Sequence, residues 1–444
     1  MSGFSSQSLF TLLPQSSTIR RYWIAYSGGL DSHVLLSAMA ALKGALAGVE
    51  VRAVHVNHSL NSQAKKWALH CQNVCEEMQI GCQQLVVDAH PEKGESPEAA
   101  ARNARYQVIA QCIEEGDCLL TAHHQDDQAE TFLLQLLRGS GMQGLAAMPV
   151  QTSFSQGQLA RPLLSFSRQQ LREYAEQHQL NWIEDPSNAE TGFDRNYLRH
   201  EIMPLLQIRW PSASKVISRS AGHHAESSKL LNVLAEQDYR AATGHQQGTL
   251  SISFIKQLDV ARQRLLLRYW ISQLKLPMPA SIHIEHILHD AVNSAPDAVP
   301  CISWPGGEVR RYQSDLYAML PLERFDASLE MPWHLDSPLK LPQNSGYLIA
   351  KRVQGKGLDC DITRVTVRFR QGGESCRPAG SNCSKSLKKI FQEKNIQPWL
   401  RDRVPLLYVG DQLAVVTGIC ICEPFSVKKN REGWQIQKNQ SLKF

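Results

Sequence analysis

The sequence predicts an α/β protein: a doubly wound parallel sheet, followed by a mostly helical domain and a small α+β domain. Three observations carry this expectation. Short apolar runs alternate with helical stretches up to about residue 140. The strand rhythm stops near residue 215. A strictly alternating run, "TRVTVRFR" (363–370), then restores it.

Each element has a local reason. "YWIAY" (22–26) is a short apolar run suited to a buried strand. "HVLLSAMAALKGALA" (33–47) has helical content, and "VRAVHVN" (51–57) returns to strand. A helical stretch spans 62–79, and "QQLVVD" (83–88) is strand-like. "PEAAARNARYQVIAQCIEEG" (97–116) opens on proline and closes on glycine, as helices do. "DCLLTA" (117–122) is a further strand and "QDDQAETFLLQLLRG" (125–139) a further helix. Beyond 215, "SSKLLNVLAEQDYRAAT" and "VARQRLLLRYWISQLK" are helical. "LKKIFQEKNI" (387–396) is a short amphipathic helix, and "PLLYVGDQLAVVTG" (405–418) reads as two strands about a Gly-Asp turn. The expected domains are 1–215, 216–325 and 363–444, with 326–362, rich in Pro, Asp and Leu, as connector.

Composition narrows the class. The 444 residues are 43% hydrophobic and 20% charged, a globular profile with room for several domains. No apolar run approaches the length of a membrane span. The first residues, "MSGFSSQSLFTLLPQSSTIRRYW", lack the basic start of a signal peptide. Eleven scattered cysteines suit reduced thiols, so a cytoplasmic location is expected. The net charge of +5 is unevenly spread. Residues 351–444 hold 18 basic and 8 acidic side chains, against 29 and 34 in the first 350. A basic module on a mildly acidic body points to a polyanionic partner.

Two strings carry chemistry. Ser27-Gly28-Gly29-Leu30-Asp31-Ser32 follows the first strand and opens the first helix of the alternating region. In an open α/β sheet that is where ligands bind. Glycines let the backbone approach an anion, helix N–H groups face it, and Ser27 and Ser32 add hydroxyls. Asp31 is an awkward neighbour for phosphate unless a metal ion or a second substrate sits between them. The string is neither G-x-G-x-x-G nor G-x-x-x-x-G-K-[ST]. A plain helix cap remains the bland alternative. The second string is "TAHHQDDQAETFLLQLLRGSG" (121–141), in which Asp127 and Glu130 share one helix face near its N-terminus. Such a pair can hold Mg²⁺, bind an ammonium group, act as a base, or simply match the helix dipole.

Ser-Gly-Gly-x-Asp-Ser resembles the pyrophosphate loop of the N-type ATP pyrophosphatases. The string around Asp127, with "EAAARNARY" (98–106), "RPLL" (161–164), "WIEDPSN" (182–188) and "DRNYLRHEIMPLL" (194–206), resembles the tRNA(Ile)-lysidine synthetases. "RFRQGGESCRP" (368–378) and "SKSLKKIFQEKNIQPWLRDRVPLLY" (384–408) resemble the additional C-terminal domain of their long bacterial form. The central part matches weakly, with "RQRLLLRYWI" and "VRRYQS" (309–314) as anchors.

The resemblance implies an ATP-dependent carbon–nitrogen ligase. It would join L-lysine to C2 of the wobble cytidine of tRNA(Ile) with a CAU anticodon, through an adenylated cytidine. It implies that Ser27, Gly28, Gly29, Leu30, Asp31 and Ser32 bind ATP. Asp31, Asp127 and Glu130 are the catalytic candidates, with Asp31 and Asp127 holding Mg²⁺. Arg102, Arg105, Arg195 and Arg199 would meet triphosphate or RNA phosphate, the alternative being surface ion pairs. Lys385, Lys388, Lys389, Trp399 and Arg401 would contact the tRNA, although Trp399 suits a buried position equally well. A homodimer is compatible with this reading. The competing enzyme is a tRNA sulfurtransferase on the same scaffold, which needs a reactive cysteine, and none stands beside either string. His283, His286 and His289 drift around a helix rather than forming H-E-x-x-H. Cys71 with Cys75, and Cys420 with Cys422, lack a second ligand pair, so buried thiols are expected at 420 and 422.

Overall fold

The computed structural model describes residues 3–46, 48–57, 63–87, 97–186, 190–295, 298–343, 345–428 and 430–439, without the side chains of 97–99. Ser187 and Asn188, the end of the "DPSN" string, lie outside the described residues. The chain divides into two units, residues 1–231 and 232–444.

The first unit opens with α1 (Ser6–Phe10), β1 (Arg21–Ala25), α2 (Leu30–Leu42), β2 (Glu50–Asn57) and α3 (Ala64–Glu77). It continues with β3 (Gly81–Val86), α4 (Pro97–Cys112), β4 (Asp117–Leu120), α5 (Gln125–Leu137) and α6 (Met142–Leu145). A hairpin follows, β5 (Gln151–Phe154) and β6 (Gly157–Ala160), then α7 (Arg168–Gln177) and α8 (Asp194–Tyr197). A π-helical turn (Leu198–Ile202) joins α8 to α9 (Met203–Arg209), and α10 (Ala213–Ala241) carries the chain onward. The six strands lie in the order β3-β2-β1-β4-β6-β5 and are parallel except for β5. β4 is buried along its whole length, as a strand covered on both faces must be. Buried Asp117 locks β1 to β4: it accepts from Trp23 Nε1 at 3.0 Å and from Arg21 at 3.3 Å. The order reverses between β1 and β4, so the crevice at their C-terminal ends is the sheet's switch point.

The second unit contains β7 (Leu250–Ser251), α11 (Ile252–Ile255), α12 (Val260–Gln273), α13 (Ser281–His286) and a second π-helical turn (Ile287–Val292). β8 (Cys301–Trp304), β9 (Gly307–Tyr312) and β10 (Asp315–Met319) follow. With β7 they form an antiparallel sheet, β7-β10-β9-β8, that shares one core with α12 and α13. The helical expectation for 216–325 therefore gains a small sheet, whose strands are short and flanked by turns.

Residues 326–362 are not a bare connector. They hold β11 (Met331–His334), β12 (Leu339–Lys340), β13 (Tyr347–Gln354) and β14 (Leu358–Asp359). After them come β15 (Arg364–Arg368), β16 (Ser375–Cys376), β17 (Lys385–Ser386), α14 (Leu387–Glu393) and α15 (Pro398–Arg401). The chain closes through β18 (Leu406–Val409), β19 (Gln412–Val416), β20 (Cys420–Ile421) and β21 (Glu432–Asn439). β11 completes the sheet β11-β15-β18-β19-β20, and β21 lies between β13 and β14 in a second sheet, with β12 at the outer edge of β13. Trp333, Leu348, Val367, Leu407 and Trp434 fill one core with residues of both sheets. These strands escape sequence reading because their pairing partners lie far along the chain. The Gly-Asp turn at 410–411 joins β18 to β19 as expected, with Gly410 at φ +59°.

Candidate active site

The loop after β1 is shaped by its glycines. Gly28 has φ +85°, a conformation that penalises any L side chain. A Cβ there would also lie 2.6 Å from Ile183 Cδ1 and 2.9 Å from Cys71 Sγ. The Gly28 carbonyl accepts from Ile183 N–H at 2.9 Å, which ties the loop to the segment after α7. Gly29 caps α2 with no side chain, so the first N–H groups of this 13-residue helix have no cap acceptor. Ser32 Oγ donates to the Gly29 carbonyl at 3.0 Å and accepts from Ser27 N–H at 3.2 Å. The two serine hydroxyls are 3.0 Å apart. The result is a rigid turn that presents backbone donors at the switch point.

α5 starts at the neighbouring strand end. His124 is its N-cap: its Nδ1 accepts from Asp127 N–H at 3.4 Å, and Asp127 Oδ2 accepts from His124 N–H at 3.0 Å. The other ring nitrogen, Nε2, lies 3.4 Å from Asp127 Oδ2 and 3.6 Å from Asp31 Oδ2. His124 thus links the two strings into one site. It was not singled out from the sequence, although a polar residue three before Asp127 is what a helix cap requires.

Asp127 and Glu130 are buried and face two guanidinium groups. Arg195 Nε donates to Glu130 Oε2 at 2.9 Å, and its Nη2 reaches Asp127 Oδ1 at 3.2 Å. Arg199 Nε donates to Glu130 Oε1 at 2.7 Å, and its Nη2 to Asp127 Oδ1 at 2.8 Å. The arginines lie one turn apart on α8 and the π-helical turn after it. In this arrangement they meet carboxylates. Both Asp127 oxygens are engaged, one by the arginines and the other by His124. Asp31 differs: its Oδ1 is buried and has no hydrogen-bond partner.

The electrostatics follow from this pairing. Burial opposes ionisation of Asp127, but His124, Arg195 and Arg199 outweigh it and hold the carboxyl well below the usual range. Burial also opposes charge on His124, and Asp127, Asp31 and Asp126 reverse that, raising it above an ordinary imidazole. For His123 burial is the largest influence; Asp127 pulls the other way, while Arg161, Arg195 and Arg102 add to the lowering. It falls to about 3, so it stays neutral, within 2.9 Å of Thr121 Oγ1.

The crevice opens into a cleft of about 870 Å³. Ser27, Gly29, Asp31 and Ser32 line it together with Arg102 and Arg105 of α4. Arg168, Arg172 and the segment Trp182–Pro186 complete the wall. Arg102 lies over the Tyr106 ring, 5.4 Å from its centroid. Arg168 and Arg172 were not anticipated, because on α7 they are indistinguishable in sequence from solvated helix charges.

The C-terminal candidates fall into two groups. Lys388 and Lys389 are exposed on α14, whereas Lys385 precedes that helix in β17 and pairs with Glu393 at 2.8 Å. Trp399 is half-buried, edge-on to Tyr317 at 5.4 Å and Tyr312 at 6.3 Å, with Arg310 over its ring. Arg401 donates to the Ile396 carbonyl at 2.9 Å. Those two residues join α15 to the small sheet of the same unit. His283 is half-buried while His286 and His289 are exposed. Cys422 is buried as expected, Cys420 is only half-buried, and Cys376 joins them.

Family models match three stretches: a PP-loop domain over residues 5–206, a TilS substrate binding domain over 250–317, and a TilS substrate C-terminal domain over 365–438. The chain is 44% identical over 436 residues to the tRNA(Ile)-lysidine synthase of Coxiella burnetii, covering 98% of this chain and 96% of that protein. It is 44% identical to that of Methylococcus capsulatus, covering 89% and 91%, and 39% identical to that of Legionella pneumophila strain Paris, covering 94% and 95%. No described helix is long and apolar enough to cross a membrane. A pyrophosphate-type loop at the switch point, its carboxylate partners and this near full-length similarity together place the chain in the tRNA(Ile)-lysidine synthase family.

Proposed function

We propose that the protein ligates L-lysine to C2 of the wobble cytidine of tRNA(Ile) bearing a CAU anticodon, with ATP as the activating substrate. The loop Ser27–Ser32 holds the β- and γ-phosphates against the N-terminus of α2. Attack of the C2 carbonyl oxygen on the α-phosphate releases pyrophosphate and leaves an adenylated cytidine. The ε-amine of lysine then attacks C2 and AMP leaves. Free lysine is an ammonium ion near neutrality, with a pKa of about 10.4, so it must give up a proton first.

The observation that carries this reading is the unequal engagement of the three carboxylates. Asp127 and Glu130 are paired with Arg195 and Arg199, and Asp127, held well below the usual carboxylate range, is a poor proton acceptor. They frame the site. Asp31 keeps a buried oxygen without a partner, at the mouth of the phosphate loop. That oxygen fits a hard cation or an ammonium group. Asp31 would hold Mg²⁺, which when bound offsets the repulsion between carboxylate and phosphate. In the second step, with its oxygens free of the cation, Asp31 accepts the lysine proton, directly or through a water. Arg102 and Arg105 face the same cleft and meet phosphate. Lys388 and Lys389 meet the tRNA backbone, and residues 1–215 supply the chemistry.

The sulfurtransferase reading is disfavoured by one observation. Cys71 lies beside Gly28, but burial pushes its thiol up to about 12, and a nucleophilic cysteine needs the opposite shift. The test is incorporation of radiolabelled lysine into tRNA(Ile) with a CAU anticodon in the presence of ATP. ATP-dependent incorporation is expected, and its absence removes the proposal.

A further inference from the structure

The C-terminal part of the chain gathers three sulfurs that sequence spacing does not connect. Cys376 lies in β16, Cys420 in β20 and Cys422 just after it. Backbone pairing aligns these segments. Ala379 N–H donates to the Ile421 carbonyl and Cys422 N–H to that of Ala414, both at 2.8 Å. The three Sγ atoms all lie within 4.8 Å of one another. Cys376 and Cys422 are 6% and 1% exposed, in a small core with Leu387, Ile390, Phe391 and Val416.

We propose that Cys376, Cys420 and Cys422 form a three-thiolate site for a thiophilic d¹⁰ cation, with zinc(II) as its occupant. Three thiols clustered in an apolar core gain little from weak S–H···S contacts, and small aliphatic residues would pack there as well. One cation uses all three. Zinc–sulfur bonds of about 2.3 Å put tetrahedral sulfurs about 3.8 Å apart. The sulfurs therefore need to draw together by no more than about 1 Å. Cys420 lines a cavity of about 630 Å³, which gives the ion an entry path and leaves room for a solvent molecule in the fourth position. Trp434 stands in the same wall, its buried Nε1–H without an acceptor. Binding expels the three thiol protons to solvent. The ion would clamp the β16–β17 hairpin, which leads directly into α14, onto β20.

The test uses the full-length protein and is independent of ligase activity. Metal is removed with chelator under reducing conditions, and cobalt(II) is titrated in. One cobalt per chain with strong thiolate-to-metal charge-transfer absorption is expected, displaced by equimolar zinc. Cys420→Ser and Cys376→Ser should each lose most of that absorption, while Cys383→Ser, an exposed cysteine in the neighbouring loop, keeps it. Circular dichroism of the metal-free variants shows whether the fold survives. If either variant misfolds, stoichiometric zinc in the wild-type protein as isolated, lost on alkylation of its thiols, decides for the site. Wild-type protein that shows no charge-transfer band overturns the proposal. So does a Cys420→Ser variant that keeps the band, or an unliganded Cys376–Cys422 disulfide in the reduced preparation.

Discussion

Glu130→Gln separates a framing carboxylate from a working one. Glu130 is 2% exposed and takes three hydrogen bonds from two guanidinium groups. The substitution keeps the volume and removes one of the two negative charges, so Arg195 and Arg199 are left to share Asp127. Breaking one partner out of a buried ion-pair network costs about 3–5 kcal/mol, because the remaining charge stays desolvated. Glutamine still offers an oxygen acceptor, so we expect the lower end, about 3 kcal/mol. That is more than a factor of about 100 in the folded-to-unfolded ratio. Urea unfolding followed by circular dichroism reads it as an earlier transition for the first unit. Adding Arg199→Met removes the stranded charge, so the double variant should be at least about 1 kcal/mol more stable than the sum of the singles. Lysine incorporation should fall in parallel with stability. The reasoning fails if Glu130→Gln unfolds with the wild type yet no longer turns over, since Glu130 would then act on the substrate.

Four further outcomes follow from the same geometry. Gly28→Ala meets a positive φ and two close neighbours, costing about 2–4 kcal/mol, and should weaken ATP binding in calorimetry while Gly29→Ala, with room around it, stays closer to wild type. Asp31→Asn should abolish lysine incorporation while tRNA affinity in filter binding is unchanged; a weakened tRNA complex would move Asp31 out of the chemistry. Burial lowers His33 to about 4 and His123 to about 3, so the unfolded chain binds more protons below pH 6.5. Stability should therefore fall from pH 6.5 toward 4, and His33→Gln should flatten part of that slope in urea midpoints. Lys388→Glu with Lys389→Glu should weaken tRNA binding and reduce its salt dependence, whereas a purely structural role for α14 would leave the salt slope intact.

The alternating sheet was legible because each strand–helix unit is local. The run at 22–26 and the proline and glycine around α4 report their own structure. Ser27–Ser32 and Asp127–Glu130 could be joined in advance because strand ends of one sheet converge. What binds them together could not be read. Arg195 and Arg199 belong to a helical turn far along the chain, and their partners depend on how α8 folds back over α5. The hairpin β5–β6 was missed because β5 is polar and mostly exposed, although β6 is the direct neighbour of β4. Residues 326–362 look irregular for the same reason: β13 makes sense as a strand only beside β21.

That last pairing bears on how the protein is made. Tyr347–Gln354 pairs along its length with Glu432–Asn439, so the strand that completes this sheet is translated long after its neighbour. The first unit can acquire its nucleotide crevice while the ribosome is still at work. The C-terminal unit must wait, and contacts this distant in sequence form slowly. A chain that stops before residue 432 would emerge with the full set of catalytic candidates and an open strand edge. Such a product is directed toward aggregation rather than toward partial function.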